Sequence, residues 1–398
     1  MEEWKSYKLQ DLTLDGKGHY GIGAPAVDFD EDLYTYLRIT DINDDGSLNY
    51  SGMKSVNDPE AKRYLLKEGD IVFARTGNST GRAYYYEPSD GQLVYAGFLI
   101  KFSLDPMKVN PRFLKYYTHS KPYYDWVQSF DTGATRGNIN AQTYGAMEIK
   151  LPPRNLQDQL VDVLSSLDKK IKLNNRINHN LEEQAQALYK SWFVDFAPFR
   201  SGKFVDSELG MIPEGWHVGT LSELANITMG QSPSGSSFNG EGDGIIFYQG
   251  RTEFGFRFPS IKLFTTEPTR FSAPNSILMS VRAPVGDINV SKKRCCIGRG
   301  LASIEPFTDS YSFVLYAVKS QTEVLDMYNG EGTVFGSINR KELEGLSVIV
   351  PPEDIISSFN QLVTPLDVKI GELSDEIDNL QMERDTLLPQ LMSGSLIC

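Results

Sequence analysis

Asp131, Glu148 and Lys150 are the residues whose types and spacing come nearest to a catalytic site. Glu148-Ile149-Lys150 resembles the carboxylate–lysine end of a metal-dependent nuclease site, with Asp131 upstream as a further carboxylate. The same tripeptide also fits an edge strand, because alternation places both charged side chains on one face. We favour the edge strand. The alternative, a self-contained nuclease, predicts metal-dependent DNA cleavage by the isolated chain.

Other sequence motifs associated with cofactor, phosphate or metal binding are absent or only partly matched. Gly16–Gly21 matches the dinucleotide-binding glycine pattern, but no buried strand precedes it and Pro25 opposes a following helix. The sequence has no phosphate-binding glycine–lysine loop and no Asn/Asp-Pro-Pro-aromatic tetrapeptide of the amino-methyltransferase kind. The histidines lie too far apart to predict a zinc site: His19, His119, His179 and His217. We therefore expect a chain that is not itself an enzyme and that binds no metal or cofactor.

Basic side chains cluster locally, although the net charge of −13 argues against a generic nucleic-acid binder. One cluster lies between Ala61 and Arg82, and a second lies between Val281 and Arg299. Both predict a local positive face on an acidic body, and scattered solvated charges are the alternative. Residues 351–398 hold nine acidic and two basic side chains, so this stretch could face a partner protein.

The composition is that of an ordinary soluble globular protein, with 40% hydrophobic and 23% charged residues among 398. No window of about 18 apolar residues occurs, so we expect no membrane span. The acidic, polar start at Met1–Lys5 argues against a secretory signal. Three cysteines, with Cys295 and Cys296 adjacent, form no disulfide framework. A reducing cytoplasm fits these features best.

A proline–proline entry into a long helical pattern occurs twice. Adding 199 to the residue numbers brings Leu151-Pro152-Pro153 onto Val350-Pro351-Pro352, and Leu167-Asp168 onto Leu366-Asp367. The offset is half the length of the chain. The sequence therefore predicts a duplicated protein in which a long helix closes each half.

Apolar residues in both helical stretches are spaced alternately three and four apart, which predicts a coiled coil. At about 1.5 Å per residue, Arg154–Asp195 would form a helix roughly 60 Å long. Asn174 and Asn178 lie in the first seam and are expected to fix its register. Pro365 is expected to kink the second helix and Pro389 to end it. The predicted seam residues are Leu160, Leu164, Leu167, Ile171, Leu181, Leu188, Leu366, Ile370, Leu373, Ile377, Leu380 and Leu387. The alternative is an amphipathic helix packed on its own module.

Short β-type runs divided by turn residues precede each helix. In the first half we expect strands at Tyr34–Ile39, Asp70–Arg75, Gly81–Tyr86 and Leu93–Phe102, then one or two helices over Pro111–Trp126. The second half copies this order. Ile277–Val281 matches Ile71–Ala74, with Arg282 in the place of Arg75. A glycine-rich loop in each half ends in Asn140 or Asn339, which we expect to cap turns.

The predicted fold class is α+β, with two β-rich domains in a pseudo-twofold arrangement, separated by an antiparallel two-helix coiled coil. The predicted domains are 1–150 and 216–350. The long helices are 151–197 and 351–392, and the connector is 198–215. Shared framework and divergent loops indicate two modules that recognise different targets.

The residues at the helix entry and the connector resemble a known family. Leu151-Pro152-Pro153, Gln159 and the run Leu164–Ile171 resemble the first conserved helical region of Type I restriction–modification specificity (S) subunits. The junction into that family's second target-recognition domain is similar to Phe193–Phe196, Pro198-Phe199, Ser207–Gly210 and Ile212–Trp216. The resemblance spans the whole architecture. One departure is that the second copy, Glu353-Asp354-Ile355, lacks a matching glutamine.

The resemblance implies two target-recognition domains, each contacting one half of a bipartite sequence in double-stranded DNA. It implies that the coiled coil spaces these domains and docks two methylation subunits, which bind S-adenosylmethionine and methylate adenine N6. Restriction subunits join them in the full complex. By the same resemblance, the chain itself is a non-catalytic specificity subunit.

Candidate DNA contacts are chosen for their ability to bind base edges. Arginine pairs well with guanine in the major groove, and asparagine or glutamine with adenine. The candidates in the first half are Arg75, Thr76, Asn78, Arg82, Arg136 and Asn138. Those in the second half are Gln249, Arg251, Arg282, Lys292, Lys293, Arg294 and Arg299. The matching positions of Arg75 and Arg282 favour a shared phosphate or scaffold role. The strongest rival hypothesis is a DNA-independent scaffold whose two β-rich modules bind proteins.

Overall fold

The computed structural model describes residues 4–130, 137–307, 310–329 and 336–393. It divides into two compact units. Unit 1 comprises Met1–Lys172 with Ile377–Cys398, and unit 2 comprises Leu173–Glu376. Arg136 and Asp131, which the sequence singles out, lie outside the described residues.

Unit 1 contains two four-stranded sheets and a two-stranded ribbon. Its strands are β1 (Lys5–Lys8), β2 (His19–Tyr20), β3 (Ala26–Val27), β4 (Tyr34–Leu37), β5 (Lys54–Val56), β6 (Asp70–Ala74), β7 (Ala83–Tyr85), β8 (Leu93–Tyr95), β9 (Leu99–Ser103) and β10 (Glu148–Leu151). Its helices are α1 (Pro111–Tyr117), α2 (Lys121–Gln128), α3 (Ala141–Gly145) and the first part of α4 (Arg154–Phe193). The sheet orders are β2-β9-β6-β7 and β3-β5-β4-β8, and β1 pairs with β10.

The central strand of the first sheet is β6, and every one of its residues is buried. Its side chains serve two cores, since Phe73 packs with Phe102 under the helices while Val72 faces a separate cluster with Leu99. A strand buried on both faces explains the continuous apolar run in the sequence.

The predicted single strand Leu93–Phe102 is wrong, because two strands occupy this stretch. β8 pairs in parallel with β4 in one sheet, and β9 pairs with β6 in the other. The chain turns between them at Ala96–Phe98, where the Leu99 amide donates to the Ala96 carbonyl at 2.8 Å. The turn lets one apolar run supply both sheets, which periodicity alone does not reveal.

Unit 2 repeats this topology with a fifth strand in its second sheet and one more two-stranded ribbon. Its strands are β11 (Phe204–Val205), β12 (Ile212–Pro213), β13 (His217–Thr220), β14 (Ala225–Met229), β15 (Phe238–Asn239), β16 (Ile245–Tyr248), β17 (Phe264–Thr265), β18 (Phe271–Ser272), β19 (Ile277–Ser280), β20 (Ile288–Val290), β21 (Cys295–Ile297), β22 (Leu301–Pro306) and β23 (Ser347–Val350). Its helices are α5 (Leu221–Leu224), α6 (Tyr311–Lys319), α7 (Thr322–Asp326), α8 (Arg340–Glu344), the last part of α4 and the first part of α9 (Glu353–Ser393). The last part of α9, from Ile377, belongs to unit 1.

The sheet order β14-β22-β19-β20 in unit 2 corresponds to β2-β9-β6-β7 in unit 1. The parallel pair β16–β21 corresponds to β4–β8, and the ribbon β13–β23 corresponds to β1–β10. The internal repeat inferred from the sequence is therefore present in the strand topology as well.

The two long helices pack against each other within each unit. In unit 1, Leu160 and Leu164 near the start of α4 share a core with Leu388 and Leu391 near the end of α9. In unit 2, Phe193 at the end of α4 shares a core with residues near the start of α9. The pairing is antiparallel in both places. All the predicted seam residues are buried or half-buried.

Two asparagines of the first seam are buried and bonded to α9. The Asn174 amide donates to Glu376 Oε2 at 2.8 Å, and the Asn178 amide donates to Ser374 Oγ at 3.3 Å. A buried amide is costly unless it is bonded. These two bonds therefore form in only one alignment of the helices.

The prediction that Pro389 ends the second helix is wrong, since α9 continues to Ser393. A proline inside a helix costs about 3 kcal/mol through the lost hydrogen bond and the clash of its ring. Leu391 and Met392, beyond the proline, are 6% and 5% exposed and pack in the core of unit 1. Their burial offsets that cost. The helix also continues through Pro365.

Candidate nucleic-acid interface

The end of the central strand forms the same backbone framework in both units. In unit 1, the Arg75 amide donates to the Phe98 carbonyl at 3.1 Å, and the Ile139 amide donates to the Arg75 carbonyl at 2.9 Å. In unit 2, the Val281 amide donates to the Gly300 carbonyl at 2.9 Å, and the Ile338 amide donates to the Val281 carbonyl at 3.1 Å. A strand end, a turn and the segment after the glycine-rich loop thus meet in each unit.

These bonds correct the predicted equivalence of Arg75 and Arg282. Arg75 occupies the place of Val281, because both bond the matching residues Ile139 and Ile338. The next residues correspond as well, since Thr76 forms an isolated antiparallel β-bridge with Asn138, and Arg282 forms one with Ser337. The sequence match is off by one residue, because both segments end in a similar apolar run. Arg75 and Arg282 therefore do not occupy equivalent positions, and a shared role is not expected of them.

Arg75 presents its guanidinium beside an exposed aromatic side chain in unit 1. Its guanidinium carbon lies 5.0 Å from the centre of the Tyr20 ring, a cation–π distance. The Tyr20 hydroxyl accepts a hydrogen bond from the Ala141 amide at 3.1 Å. Phe98, at the neighbouring turn, is 59% exposed. Arg75 Nε is buried without a hydrogen-bond partner among the described residues. Thr76 and Asn138 adjoin this group, which we name the unit 1 cleft.

Unit 2 places two exposed arginines in the corresponding cleft. Arg282 and Arg299 line one cavity of about 420 Å³ together with Met229, Gly230 and the segment 336–338. A Cβ atom on Gly298 would lie 2.7 Å from the Gln249 carbonyl, so the Gln249 backbone passes beside the turn that carries Arg299. We name this group of Gln249, Arg282 and Arg299 the unit 2 cleft. It offers two cations and an amide, the groups that bind phosphates and base edges.

Four other predicted DNA contacts are engaged within the protein. Arg82 Nε donates to Asp44 Oδ1 at 2.6 Å, and Arg251 is paired with Asp287. Lys292 Nζ donates to Asp375 Oδ1 on α9 at 2.5 Å. The Arg294 guanidinium lies 4.1 Å from the centre of the Phe271 ring. A cation held by a neighbouring carboxylate contributes less to DNA binding, because that pairing must be broken or shared.

The remaining candidates are Asn78 and Lys293, both exposed. Asn78 lies in the 3-10 turn Gly77–Ser79, three residues beyond Arg75. Lys293 lies in the turn between β20 and β21. Asn140 and Asn339 cap α3 and α8 as expected, with the Asn140 side chain accepting from the Thr143 amide at 2.9 Å and the Asn339 side chain accepting from the Glu342 amide at 3.1 Å.

Glu148 and Lys150 lie on the exposed face of β10, while Ile149 and Leu151 point into the core. This is the alternation expected of an edge strand. In the part of the chain that the structure describes, no group of three or more His, Cys, Asp or Glu side chains is arranged to hold a metal ion. No helix among those same residues combines the length and apolarity needed to cross a bilayer.

A buried ion cluster in unit 2 was not predicted from the sequence. Arg257, between β16 and β17, is 2% exposed, and its guanidinium contacts Glu182 on α4 and Asp367 on α9. Burial disfavours the charge, but Tyr316 and the two carboxylates raise the pKa of Arg257 above its ordinary value. Burial also acts against ionised Glu182, yet Arg257 and Lys319 hold the pKa of that carboxyl below its ordinary value. Beside Arg257 the sequence offers the flanking phenylalanines Phe256 and Phe258 as a signal.

Unit 1 has a related but weaker cluster around Asp168. The Tyr116 hydroxyl donates to Asp168 Oδ2 at 2.9 Å, as Tyr316 does to Asp367 Oδ1 at 2.8 Å. Lys115 and Arg384 pair with Asp168 at 3.1 and 3.4 Å. Asp168 and Asp367 are matched by the repeat offset of 199. A tyrosine–aspartate bond thus joins a short helix to a long one in each unit.

Known proteins that are similar to this chain include specificity subunits of type I restriction enzymes. A putative type I restriction enzyme MjaX specificity subunit from Methanocaldococcus jannaschii is 29% identical over 99% of this chain and 94% of its own length. The type I restriction enzyme HindI specificity subunit from Haemophilus influenzae is 24% identical, with both chains covered completely. Both relatives align along nearly the whole chain rather than with one half of it.

The fold and the family model agree with these relatives. A crystal structure of a Type-I restriction-modification system S subunit from M. genitalium has a TM-score of 0.60 and 17% identity, covering 98% of this chain and 96% of that one. The model described as "Type I restriction modification DNA specificity domain" matches residues 1–183 and 213–387. These two matches together cover most of both repeats. The chain therefore belongs to the Type I restriction–modification DNA specificity domain family.

Proposed function

We propose that this chain is the DNA-recognition subunit of a Type I restriction–modification complex, and that each β-rich domain contacts one half of a bipartite DNA sequence. The observation that supports this most directly is the repeated cleft. Its backbone framework is the same in both units, but its side chains differ: Arg75, Thr76 and Asn138 in one, and Gln249, Arg282 and Arg299 in the other. Equal frameworks with unequal side chains suit two recognition sites of different specificity.

The long helices act in this proposal as the spacer between the two target-recognition domains, residues 1–150 and 216–350. The antiparallel packing of α4 and α9 inside each unit supports a pseudo-twofold coiled coil. Bonded Asn174 and Asn178 support a fixed register. A spacer of fixed length would set the separation of the half-sites along the duplex.

The helices also dock the methylation subunits in this proposal. Those partners would bind S-adenosylmethionine and methylate adenine N6, while this chain, without a cofactor of its own, selects the site. Exposed apolar side chains on the long helices, including Val163, Leu362 and Met382, suit a protein partner. Restriction subunits would join the same complex.

The function is tested by mapping methylated adenines in the DNA of cells that express this chain with its cognate methylation subunits. We expect one bipartite sequence to be methylated, and no methylation when this chain is left out. A DNA-independent scaffold predicts complexes with other proteins but the same methylation pattern with or without the chain. That result would contradict the proposal.

Lengthening the helices should change the spacer and leave the half-sites alone. We expect one heptad inserted into α4, with a matching heptad in α9, to preserve the seam because seven residues restore the apolar pattern. The half-sites recognised should be unchanged, and the number of bases between them should increase. Methylation mapping measures both quantities. Retention of the original spacer by the lengthened chain would show that the helices do not set it.

Removing both arginines of the unit 2 cleft should weaken DNA binding by the assembled complex. Each specific arginine contact is worth about 1–3 kcal/mol, so the Arg282→Ala/Arg299→Ala chain should lose about 2 kcal/mol or more. This corresponds to roughly 30-fold in dissociation constant. Fluorescence anisotropy with a duplex carrying the mapped site measures the change.

The matched control for that experiment is Arg200→Ala/Lys203→Ala. It removes two exposed cations from the connector of the same unit and lowers the net charge equally. We expect it to change affinity far less than the cleft variant. Equal losses in the two variants would indicate a general charge effect and would remove the unit 2 cleft from the recognition surface.

A further inference from the structure

Arg257 lies in the segment of unit 2 that also carries predicted DNA contacts. We name residues 249–260 the recognition loop, since it begins at Gln249 of the unit 2 cleft and includes Arg251. The loop leaves β16 and has no regular strand before β17. Gly255 and Phe256, which precede Arg257, are exposed, whereas the Arg257 side chain is buried.

Arg257 joins the recognition loop to three helices at once. Its Nη1 donates to Asp367 Oδ1 on α9 at 2.8 Å, and its Nη2 donates to the Tyr316 hydroxyl on α6 at 2.8 Å and to Glu182 on α4. Lys319 also donates to Glu182. Two cations and two carboxylates are therefore balanced in one buried cluster. An unpaired charge buried in this way would be strongly unfavourable. The cluster therefore favours one position of the loop.

Further contacts hold the recognition loop at the same place. The Phe256 ring meets the His179 ring of α4 edge-on, with 4.4 Å between their centres. Lys292, which bonds Asp375 of α9, lies 4.4 Å from the centre of the Phe258 ring. The loop is thus pinned to both long helices of unit 2 by residues on either side of Arg257.

Backbone hydrogen bonds connect Arg257 to the part of the loop nearest the unit 2 cleft. The Phe254 amide donates to the Arg251 carbonyl at 2.9 Å, and the Ser260 amide donates to the Glu253 carbonyl at 2.8 Å. The Arg257 carbonyl accepts from the Val290 amide at 2.9 Å. These bonds fold the segment from Arg251 to Ser260 into one hydrogen-bonded unit, so a shift of Arg257 would displace Arg251, two residues after Gln249.

In unit 1 the matching aspartate, Asp168, pairs with cations of helices rather than of a loop. The cations that pair with Asp168 are Lys115 of α1 and Arg384 of α9. In unit 2 the equivalent carboxylate, Asp367, is paired with the recognition loop itself. The loop position in unit 2 therefore depends on a charge cluster that the unit 1 link does not use.

We propose that Arg257 is a positioning residue that seats the recognition loop of unit 2 on the helix pair and thereby sets the base preference of that unit's half-site alone. The proposal rests on the proposed function and goes beyond it. Arg257 contacts no DNA. It acts through Arg251, whose distance from the duplex depends on the position of the loop and whose guanidinium would be shared between Asp287 and the DNA.

The test uses the complex of the full chain with its methylation subunits and a library of duplexes. Each duplex carries one base change in either half-site, and the ratio of correct to changed sites methylated gives the discrimination at each half. For Arg257→Met, we expect discrimination at the unit 2 half-site to fall about tenfold, the order of effect that one base position contributes to specificity. Discrimination at the unit 1 half-site should remain within twofold of the original chain. Arg257→Lys, which keeps the charge, should restore part of the loss.

Arg384→Met is the matched control, because it removes a guanidinium from the Asp168 cluster of unit 1 without touching a recognition loop. It should leave discrimination at the unit 2 half-site unchanged. A loss in Arg257→Met that is equal at both half-sites, or no loss at either, would overturn the proposal. A merely structural role predicts the first of these outcomes, with less active complex but no half-site bias.

Glu182→Gln provides a second route if Arg257→Met does not assemble. It keeps the size of the side chain and leaves Asp367 to hold Arg257. We expect a smaller loss of discrimination, again confined to the unit 2 half-site. Unchanged discrimination in Glu182→Gln would then count against the proposal. Failure of the proposed function is separate, because the unaltered complex would then methylate no bipartite sequence at all.

Discussion

Replacing Asp367 with alanine should destabilise unit 2 by about 3–5 kcal/mol, the usual cost of leaving one partner of a buried ion pair alone. Asp367 is 8% exposed and accepts hydrogen bonds from Arg257, Tyr316 and Ser312. Its removal leaves the Arg257 guanidinium buried with Glu182 as its remaining carboxylate partner. The water that enters the vacated space can only partly replace these three acceptor contacts.

Hydrogen–deuterium exchange of the intact chain measures this loss and locates it. Peptides from α6 and β19 of unit 2 should lose protection, while peptides from β6 and β9 of unit 1 serve as an internal reference. Asp375→Ala is the control, since Asp375 lies on the same helix but its side chain is 66% exposed in its pair with Lys292. An exposed pair contributes at most about 1 kcal/mol. Equal protection in the two variants would show that the buried cluster carries no particular stability.

Much of the architecture could be predicted from the sequence because it depends on repeated local patterns. The first long helix was expected at Arg154–Asp195 and is found at Arg154–Phe193. Apolar spacing of three and four residues determines such a helix from one short window at a time. The duplication was equally visible, since proline–proline entries and capping asparagines recur at fixed offsets and mark the same structural positions in both copies.

The details of the candidate site depend on contacts that no local pattern contains. The order of apolar residues in β6 and β19 allows two alignments one residue apart, and only the bonds to Ile139 and Ile338 decide that Arg75 matches Val281. A shift of one residue in a strand moves a side chain to the other face. The sequence alone could not show which arginines line the cleft.

Burial of charge was the least predictable property. Arg257 resembles any loop arginine until Glu182 and Asp367, which lie 75 and 110 residues away in the chain, are seen beside it. Pro389 shows the same limit for a helix end. Its local effect is to stop a helix, but burial of Leu391 and Met392 in unit 1 outweighs that effect. In both cases a tertiary contact overrides a sound local expectation.

Phe193→Ala should destabilise unit 2 by about 3–5 kcal/mol, since removing a buried phenylalanine loses its burial and leaves a cavity. Phe193 ends α4 and is 1% exposed. Its ring centre lies 4.9 Å from that of Phe313 on α6 and 5.0 Å from that of Phe359 on α9. Trp216, just after the connector, lies 5.8 Å away. One side chain thus joins both long helices, a short helix and the start of the second β-rich domain.

Urea unfolding followed by tryptophan fluorescence suits this variant, because Trp216 lies against Phe193 and reports on the same core. We expect the transition that includes unit 2 to move to lower urea concentration. Val194→Ala is the neighbouring control, with a side chain 51% exposed and an expected change within about 0.5 kcal/mol. If the midpoints for the two variants coincide, the aromatic cluster is not what joins the helix pair to the second domain. A selective shift in Phe193→Ala would mean that the helix ends and the domain core of unit 2 unfold together.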